Sequence, residues 1–176
     1  VGWCYAEDKR RLGAVDFADL IRGARDLLAR DAAVLAAERG RIDALLVDEF
    51  QDTNEVQAEL VRLLAPAGAE PGADPEAQPA AGRLLVVGDR KQSIYAFRGA
   101  DVGVFVRFEE ERRRAGARLD ALTSSRRSLR PLVELANAVF SRGFRGGRGD
   151  FDIRWDPRTD PLSPTREAAP DLPADG

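Results

Sequence analysis

Apolar and polar positions alternate along this chain in two different rhythms, and together they describe an α/β fold. Ile42 to Val47 reads as a strand that ends in three apolar residues, and Leu84 to Val87 is a second wholly apolar run. Unbroken runs of this kind are the signature of strands in a parallel sheet. Between them, Asn54 and Gln57 form a capping pair for a helix through Leu64, with Val56, Leu60, Val61 and Leu64 inward. Strand, helix and strand make a parallel βαβ unit whose two strand ends open on one crevice. Upstream, Phe17, Leu20, Ile21, Ala24, Leu27 and Leu28 recur at three- and four-residue spacing, which predicts one amphipathic helix from Val15 to Glu38, capped by Asp16 and ended by Gly40. Downstream, Asp101 caps a helix to about Ala115 with Val104, Phe105 and Phe108 inward. Leu119 to Thr123 follows as a strand, and a helix carries Leu132, Val133, Leu135, Ala136, Val139 and Phe140.

Two stretches show neither rhythm. Residues 65–82 are Pro, Gly, Ala and acid without period, a mobile surface loop that costs little extra closure entropy. From 146 onward the chain has the composition of a linker or disordered tail, and no fold is assigned to it.

Composition narrows the function. The chain has 176 residues, 44% of them hydrophobic and 32% charged, which places it among soluble globular proteins with one domain or parts of two. No apolar run approaches the ~20 residues that span a membrane, and no signal-peptide pattern opens the chain, so a cytoplasmic protein is expected. There is no His, which removes imidazole catalysis and ligation, and Cys4 stands alone, which removes a disulfide framework. The chain begins at Val1 and has no Met, so it reads as a piece of something longer. A net charge of −3 gives no bulk footprint for nucleic acid, and any such contact must be local.

The chemistry gathers where the apolar runs stop. Asp48 and Glu49 follow the first strand, in the place where open α/β sheets bind ligands. One carboxylate there can hold Mg²⁺ while its neighbour orients or deprotonates a water; the same residues also describe a strand running into an acidic helix cap. After the second strand come Gly88, Asp89, Arg90, Lys91 and Gln92, then Tyr95, Phe97 and Arg98. Gln92 donates and accepts, which suits a group facing a phosphate or its water. Aromatics beside a cation suit stacking on unpaired bases, although either ring alone is as readily a core residue. Arg126 and Arg127 are a solvated pair or a finger to a phosphate chain.

VDEFQDTN, VGDRKQSIYAFRGAD and LTSSRRS, in this order with helices between, resemble motifs II, III and IV of the UvrD/Rep helicases of superfamily 1. The GD-x-KQSIY form and LRPLVELANAVF are most similar to the RecB and AddA branch, and DFADL at 16–20 resembles the segment before motif II there. The resemblance covers roughly residues 5–145. It implies a P-loop NTPase fold with RecA-like parallel sheets: the rear of a first motor domain over 1–116, the start of a second over 117–145, and a tail over 146–176. By the same resemblance, Asp48 holds the magnesium of bound ATP, Glu49 activates the hydrolytic water, and Gln51 and Asp52 tie the site to its surroundings. Gln92 contacts the γ-phosphate and couples it to DNA; Tyr95, Phe97 and Arg98 lie along the single strand; Arg127 reaches the γ-phosphate from the second motor domain. Arg126 takes the place of an aromatic that packs on adenine in the family, and a guanidinium can stack on a ring. Ser125 stands where the family has Asn.

The resemblance implies an ATP-dependent 3′→5′ single-strand DNA translocase or helicase of recombination and repair. ATP and Mg²⁺ would be its cofactors, single-stranded DNA and duplex junctions its substrates, and nuclease or other recombination-complex subunits its candidate partners. No G-x-x-x-x-G-K-[ST] loop occurs in the chain, so the 176 residues alone should not hydrolyse ATP. The competing reading is a degenerate, nonenzymatic helicase-like module with weak nucleic-acid binding. The intact acidic pair, Gln92 and Arg127 favour the enzyme.

Overall fold

The computed structural model describes residues 2–66, 84–144 and 153–166, excluding the side chains of Trp3 and Arg98. Contacts divide the chain into two units, Val1–Ala117 and Arg118–Gly176.

In the first unit, helices α1 (Gly2–Leu12), α2 (Phe17–Arg30) and α3 (Ala32–Gly40) precede strand β1 (Leu45–Val47). Helix α4 (Glu55–Leu64), strand β2 (Leu84–Val86) and helix α5 (Val102–Arg114) follow. β1 and β2 pair in parallel, Leu45 opposite Leu84 and Val47 opposite Val86, which is the expected βαβ unit. The pairing runs past the formal strand ends: Val87 N–H donates to Val47 C=O at 2.8 Å, and Phe50 N–H donates to Val87 C=O at 3.0 Å.

One face of this small sheet carries the core. Leu45, Val47, Leu84 and Val86 pack on Phe50, Ala58 and Val61 and on Val104 and Phe108 of α5. Phe50 is fully buried, with the Phe108 ring 4.6 Å away and the Phe105 ring 5.7 Å away. The other face is bare: Leu46 is 69% exposed and Leu85 54%. The strands are thus buried on one side only, not on both as their unbroken apolar runs predict, because α4 and α5 cover the single face of 45, 47, 84 and 86.

Local chemistry sets the helix ends. Asp16 caps α2 with a reciprocal capping box to Asp19, and Asn54 does the same for α4 with Gln57. Asp101 accepts from Gly103 N–H at the start of α5. The single helix expected from Val15 to Glu38 is two helices. Asp31 breaks it by turning its carboxylate back to accept from Ala33 N–H and Val34 N–H, so that it ends α2 and caps α3. The stripe expected to face inward on α2 is also mostly outside: Leu28 is buried, whereas Phe17, Leu20 and Leu27 are exposed. α2 is held to α4 by an ion pair between Arg25 and Glu59, and α3 by Arg39, which donates to Leu63 C=O at 2.7 Å.

In the second unit, strand β3 (Ser124–Leu129) leads into helix α6 (Arg130–Gly143), and strand β4 (Ser163–Arg166) returns parallel to β3. The strand expected at Leu119–Thr123 instead forms on the residues that follow it, SSRRSL, and Leu122 is 83% exposed. The expected tail also contributes structure, since β4 lies within it. Asn137 of α6 fastens β4, donating to Leu162 C=O at 2.9 Å and accepting from Leu162 N–H at 3.0 Å. On α6 only Val133 of the expected apolar stripe is buried; Leu132, Leu135, Val139 and Phe140 are exposed. The loop expected at 65–82 lies outside the described residues beyond 66. Among the described residues no helix is long and apolar enough to cross a membrane.

Candidate functional site

The ends of β1 and β2 meet because the parallel register carries both strands out of the sheet at the same level. Asp48 and Glu49 leave β1 as exposed carboxylates. Asp48 Oδ1 accepts from Glu49 N–H at 2.9 Å. Glu49 has φ 52° and ψ 40°, and it is the one non-glycine among the described residues with positive φ. A left-handed backbone costs a residue with a Cβ about 1–2 kcal/mol, so the surroundings must hold it. Part of that hold is visible, since Gln51 Nε2 donates to Glu49 Oε2 at 2.6 Å. Such strain concentrates at functional sites.

Gln51 is only 2% exposed and serves both strand ends. Its Oε1 accepts from Asp89 N–H at 3.0 Å, and its C=O accepts from Ser93 Oγ at 3.2 Å. Gly88 makes room for this amide: a Cβ there would lie 2.9 Å from Gln51 Oε1 and 3.3 Å from Phe50 N. The sequence signal for this glycine is its place directly after an apolar run, where a close approach of other groups leaves no space for a side chain.

Asp89 organises the turn that leaves β2. Its carboxylate accepts from Lys91 N–H at 3.0 Å, from Lys91 Nζ at 3.0 Å and from Gln92 Nε2 at 3.1 Å. Burial pushes this carboxyl up, but the Lys91 and Gln92 contacts outweigh burial and hold it below the usual carboxylate range. Sequence reasoning gives Asp89 no role, although an acid two positions before Lys91 and three before Gln92 is a recognisable cap. Gln92 is exposed and tethered to Asp89.

Tyr95 caps a short 3-10 turn and Phe97 lies within it, their ring centroids 5.9 Å apart and tilted by 48°. Phe97 is 79% exposed and Tyr95 36%, so neither is a core residue. The side chain of Arg98 lies outside the described residues. Arg126 and Arg127 belong to the second unit, in β3, and with Ala121, Leu122, Thr123 and Ser124 they line an open groove.

The donors present fit a magnesium ion of the kind that binds with a nucleotide. Among the described residues no group of three or more His, Cys, Asp or Glu is gathered as an all-protein metal site. Asp48 instead offers one exposed carboxylate, and Mg²⁺ is commonly held by one or two carboxylates together with phosphate oxygens and water.

Residues 3–113 match the UvrD/REP helicase N-terminal domain. Over 157 residues the chain is 37% identical to an ATP-dependent helicase/nuclease subunit of Exiguobacterium sibiricum, a match covering 84% of this chain and 12% of that protein. It is 39% identical over 153 residues to the ATP-dependent DNA helicase UvrD1 of Mycobacterium leprae, covering 85% of this chain and 19% of the relative. Against DNA helicase II of Escherichia coli it is 37% identical over 135 residues, 77% of this chain and 17% of the relative. The chain thus spans less than a fifth of the length of each of these relatives. Matched over more than half of its residues by the family's domain and over most of its length by these helicases, the chain belongs to the UvrD/REP helicase family.

Proposed function

We propose that the intact protein is an ATP-dependent DNA helicase, a 3′→5′ single-strand translocase acting in recombination and repair, and that this chain carries the magnesium and water half of its ATP site. In this reading residues 1–116 are the rear of a first RecA-like motor domain, and a second begins near residue 117. The observation that carries the reading is the parallel β1–β2 pairing, which delivers the acidic pair Asp48–Glu49 and the Asp89–Gln92 turn to the same end of the sheet.

Each residue then has a chemical task. Asp48 would hold magnesium together with the triphosphate, and the chemistry supplied by the bound ion would be neutralisation of phosphate charge. Glu49 accepts a proton from the attacking water. Gln92 faces the γ-phosphate, and its tether to Asp89 joins it to the segment that continues to Tyr95 and Phe97. Those aromatics and Arg98 lie against single-stranded DNA, the rings stacking on bases. Arg127 supplies a cation to the γ-phosphate, and Arg126 stacks on the nucleotide base.

Support comes from the family membership and from the names of the relatives, two of these three being called DNA helicases and the third a helicase/nuclease subunit. The name of that third relative also favours a partner subunit for the intact protein. The intact protein should hydrolyse ATP faster with single-stranded DNA than without and displace a strand from a tailed duplex, more readily from a 3′ than from a 5′ tail. The isolated 176 residues, which contain no phosphate-binding loop, should show no DNA-stimulated hydrolysis. ATP hydrolysis by the intact protein that DNA does not stimulate, with no strand displacement, would return the chain to the nonenzymatic reading.

A further inference from the structure

We infer that Gln51 is a positioning residue for hydrolysis: it fixes the Glu49 carboxylate and registers it against the turn after β2. The inference rests on the role proposed for Glu49 and adds the device that holds it.

The first support is cost. Burying an amide head is unfavourable unless its donor and acceptor are both satisfied. Gln51 is 2% exposed, beside the fully buried Phe50. Both ends of its amide are used, and they are used on different segments: Nε2 on Glu49 Oε2 at 2.6 Å, Oε1 on Asp89 N–H at 3.0 Å. Apart from a protonated glutamic acid, no other side chain of this length offers a donor and an acceptor in one planar head. Glutamate in its ionised form would keep the acceptor and lose the donor; methionine would lose both.

The second support is strain. Glu49 sits at φ 52°, a conformation its Cβ disfavours, and among the described residues the bond from Gln51 is the only side-chain hydrogen bond to its carboxylate. The third is space. Gly88 is small where a Cβ would press on Gln51 Oε1 at 2.9 Å, so the packing around the amide leaves no slack on its Asp89 side. With the Ser93 hydroxyl also on the Gln51 carbonyl, residue 51 touches the 88–93 segment at two points. Any movement of that segment on meeting nucleotide or DNA is therefore passed to Glu49 through one rigid amide.

The test uses the intact protein carrying Gln51→Met or Gln51→Glu, with each change also made in a Glu49→Gln background. Steady-state ATP hydrolysis is measured with and without single-stranded DNA, alongside thermal melting. Misplacing a catalytic group by about 1 Å can cost on the order of 100-fold, so kcat should fall roughly 10- to 100-fold in both variants. KM for ATP and the affinity for single-stranded DNA should stay within about twofold. In the Glu49→Gln background the same changes should lower the residual rate no further, because Gln51 acts through the group already removed.

A merely structural role predicts the opposite, an equal fall in both backgrounds, and that result overturns the inference. So does a kcat within about twofold of the parent in both variants while Glu49→Gln is inactive, which leaves the reading of Glu49 standing. Normal turnover by Glu49→Gln overturns the reading of Glu49 and this inference with it. Should Gln51→Met fail to fold, Gln51→Glu, which still accepts from Asp89 N–H, carries the test.

Discussion

Phe97→Ala separates a surface ring that meets DNA from a ring that merely packs. Phe97 is 79% exposed, so removing the ring creates no cavity and the fold should lose little. Its neighbour Tyr95, with a ring centroid 5.9 Å away and inclined by 48°, completes an aromatic pair at the surface. Base–aromatic stacking contributes about 1–3 kcal/mol per base. At about 1.4 kcal/mol per tenfold, the loss of one ring should weaken single-strand affinity roughly 5- to 150-fold. The measurement is fluorescence anisotropy of a labelled oligonucleotide with the intact protein at one fixed salt concentration, since backbone contacts make affinity salt-dependent. Thermal melting of the same sample controls for folding. Unchanged affinity in a protein that melts like its parent would refute the assignment of Phe97 to the DNA path.

Phe50→Ala should behave in the reverse way: this ring is fully buried against Phe105 and Phe108, and its loss should cost about 3–5 kcal/mol of stability in denaturant titration. The Asp16 carboxyl is held down to about 2, first by the Lys9 ammonium and then by Asp19 N–H. A carboxyl lowered in the folded state contributes stability that is fully present above its unfolded value of 3.8 and is lost as pH falls toward 2. Asp16→Asn, which keeps a capping oxygen, should therefore narrow the difference in melting temperature between pH 7 and pH 3; an unchanged difference would show that this cluster carries no acid sensitivity. Arg127→Ala should lower DNA-stimulated kcat by on the order of 10³-fold if the guanidinium meets the γ-phosphate, whereas an effect no larger than that of Arg126→Ala would assign neither residue a special place.

Much of this molecule is legible in its sequence because its signals are local. Asp16, Asn54 with Gln57, and Asp101 cap helices through hydrogen bonds to residues two or three positions away, and the sequence predicts all three. The βαβ unit is legible for a related reason, since two apolar runs joined through one helix leave few alternatives to parallel pairing. Asp31 escapes notice because the apolar spacing continues across it, and periodicity does not register a single side chain that turns back on its own backbone. β3 is displaced from its expected position because its residues, SSRRSL, are polar and its partner β4 lies some forty positions away; only that long-range pairing makes it a strand. The exposed faces of α2, α6 and the β1–β2 sheet are illegible for a different reason: an apolar stripe says that a face can be buried, not which other element buries it.

At the site, the carboxylates, Gln92 and the aromatics stand out as residue types. Their connections do not, because the Gln51–Asp89 contact joins residues 38 positions apart and depends on a glycine for room.

The central claim is that Glu49 activates water beside the Asp48 magnesium site, and Glu49→Gln in the intact protein tests it most directly. The amide keeps the shape of the side chain and cannot accept a proton from water. Binding of a fluorescent ATP analogue should match the parent, while DNA-stimulated phosphate release falls by on the order of 10²–10⁴-fold. Parental phosphate release with parental nucleotide binding would contradict the account.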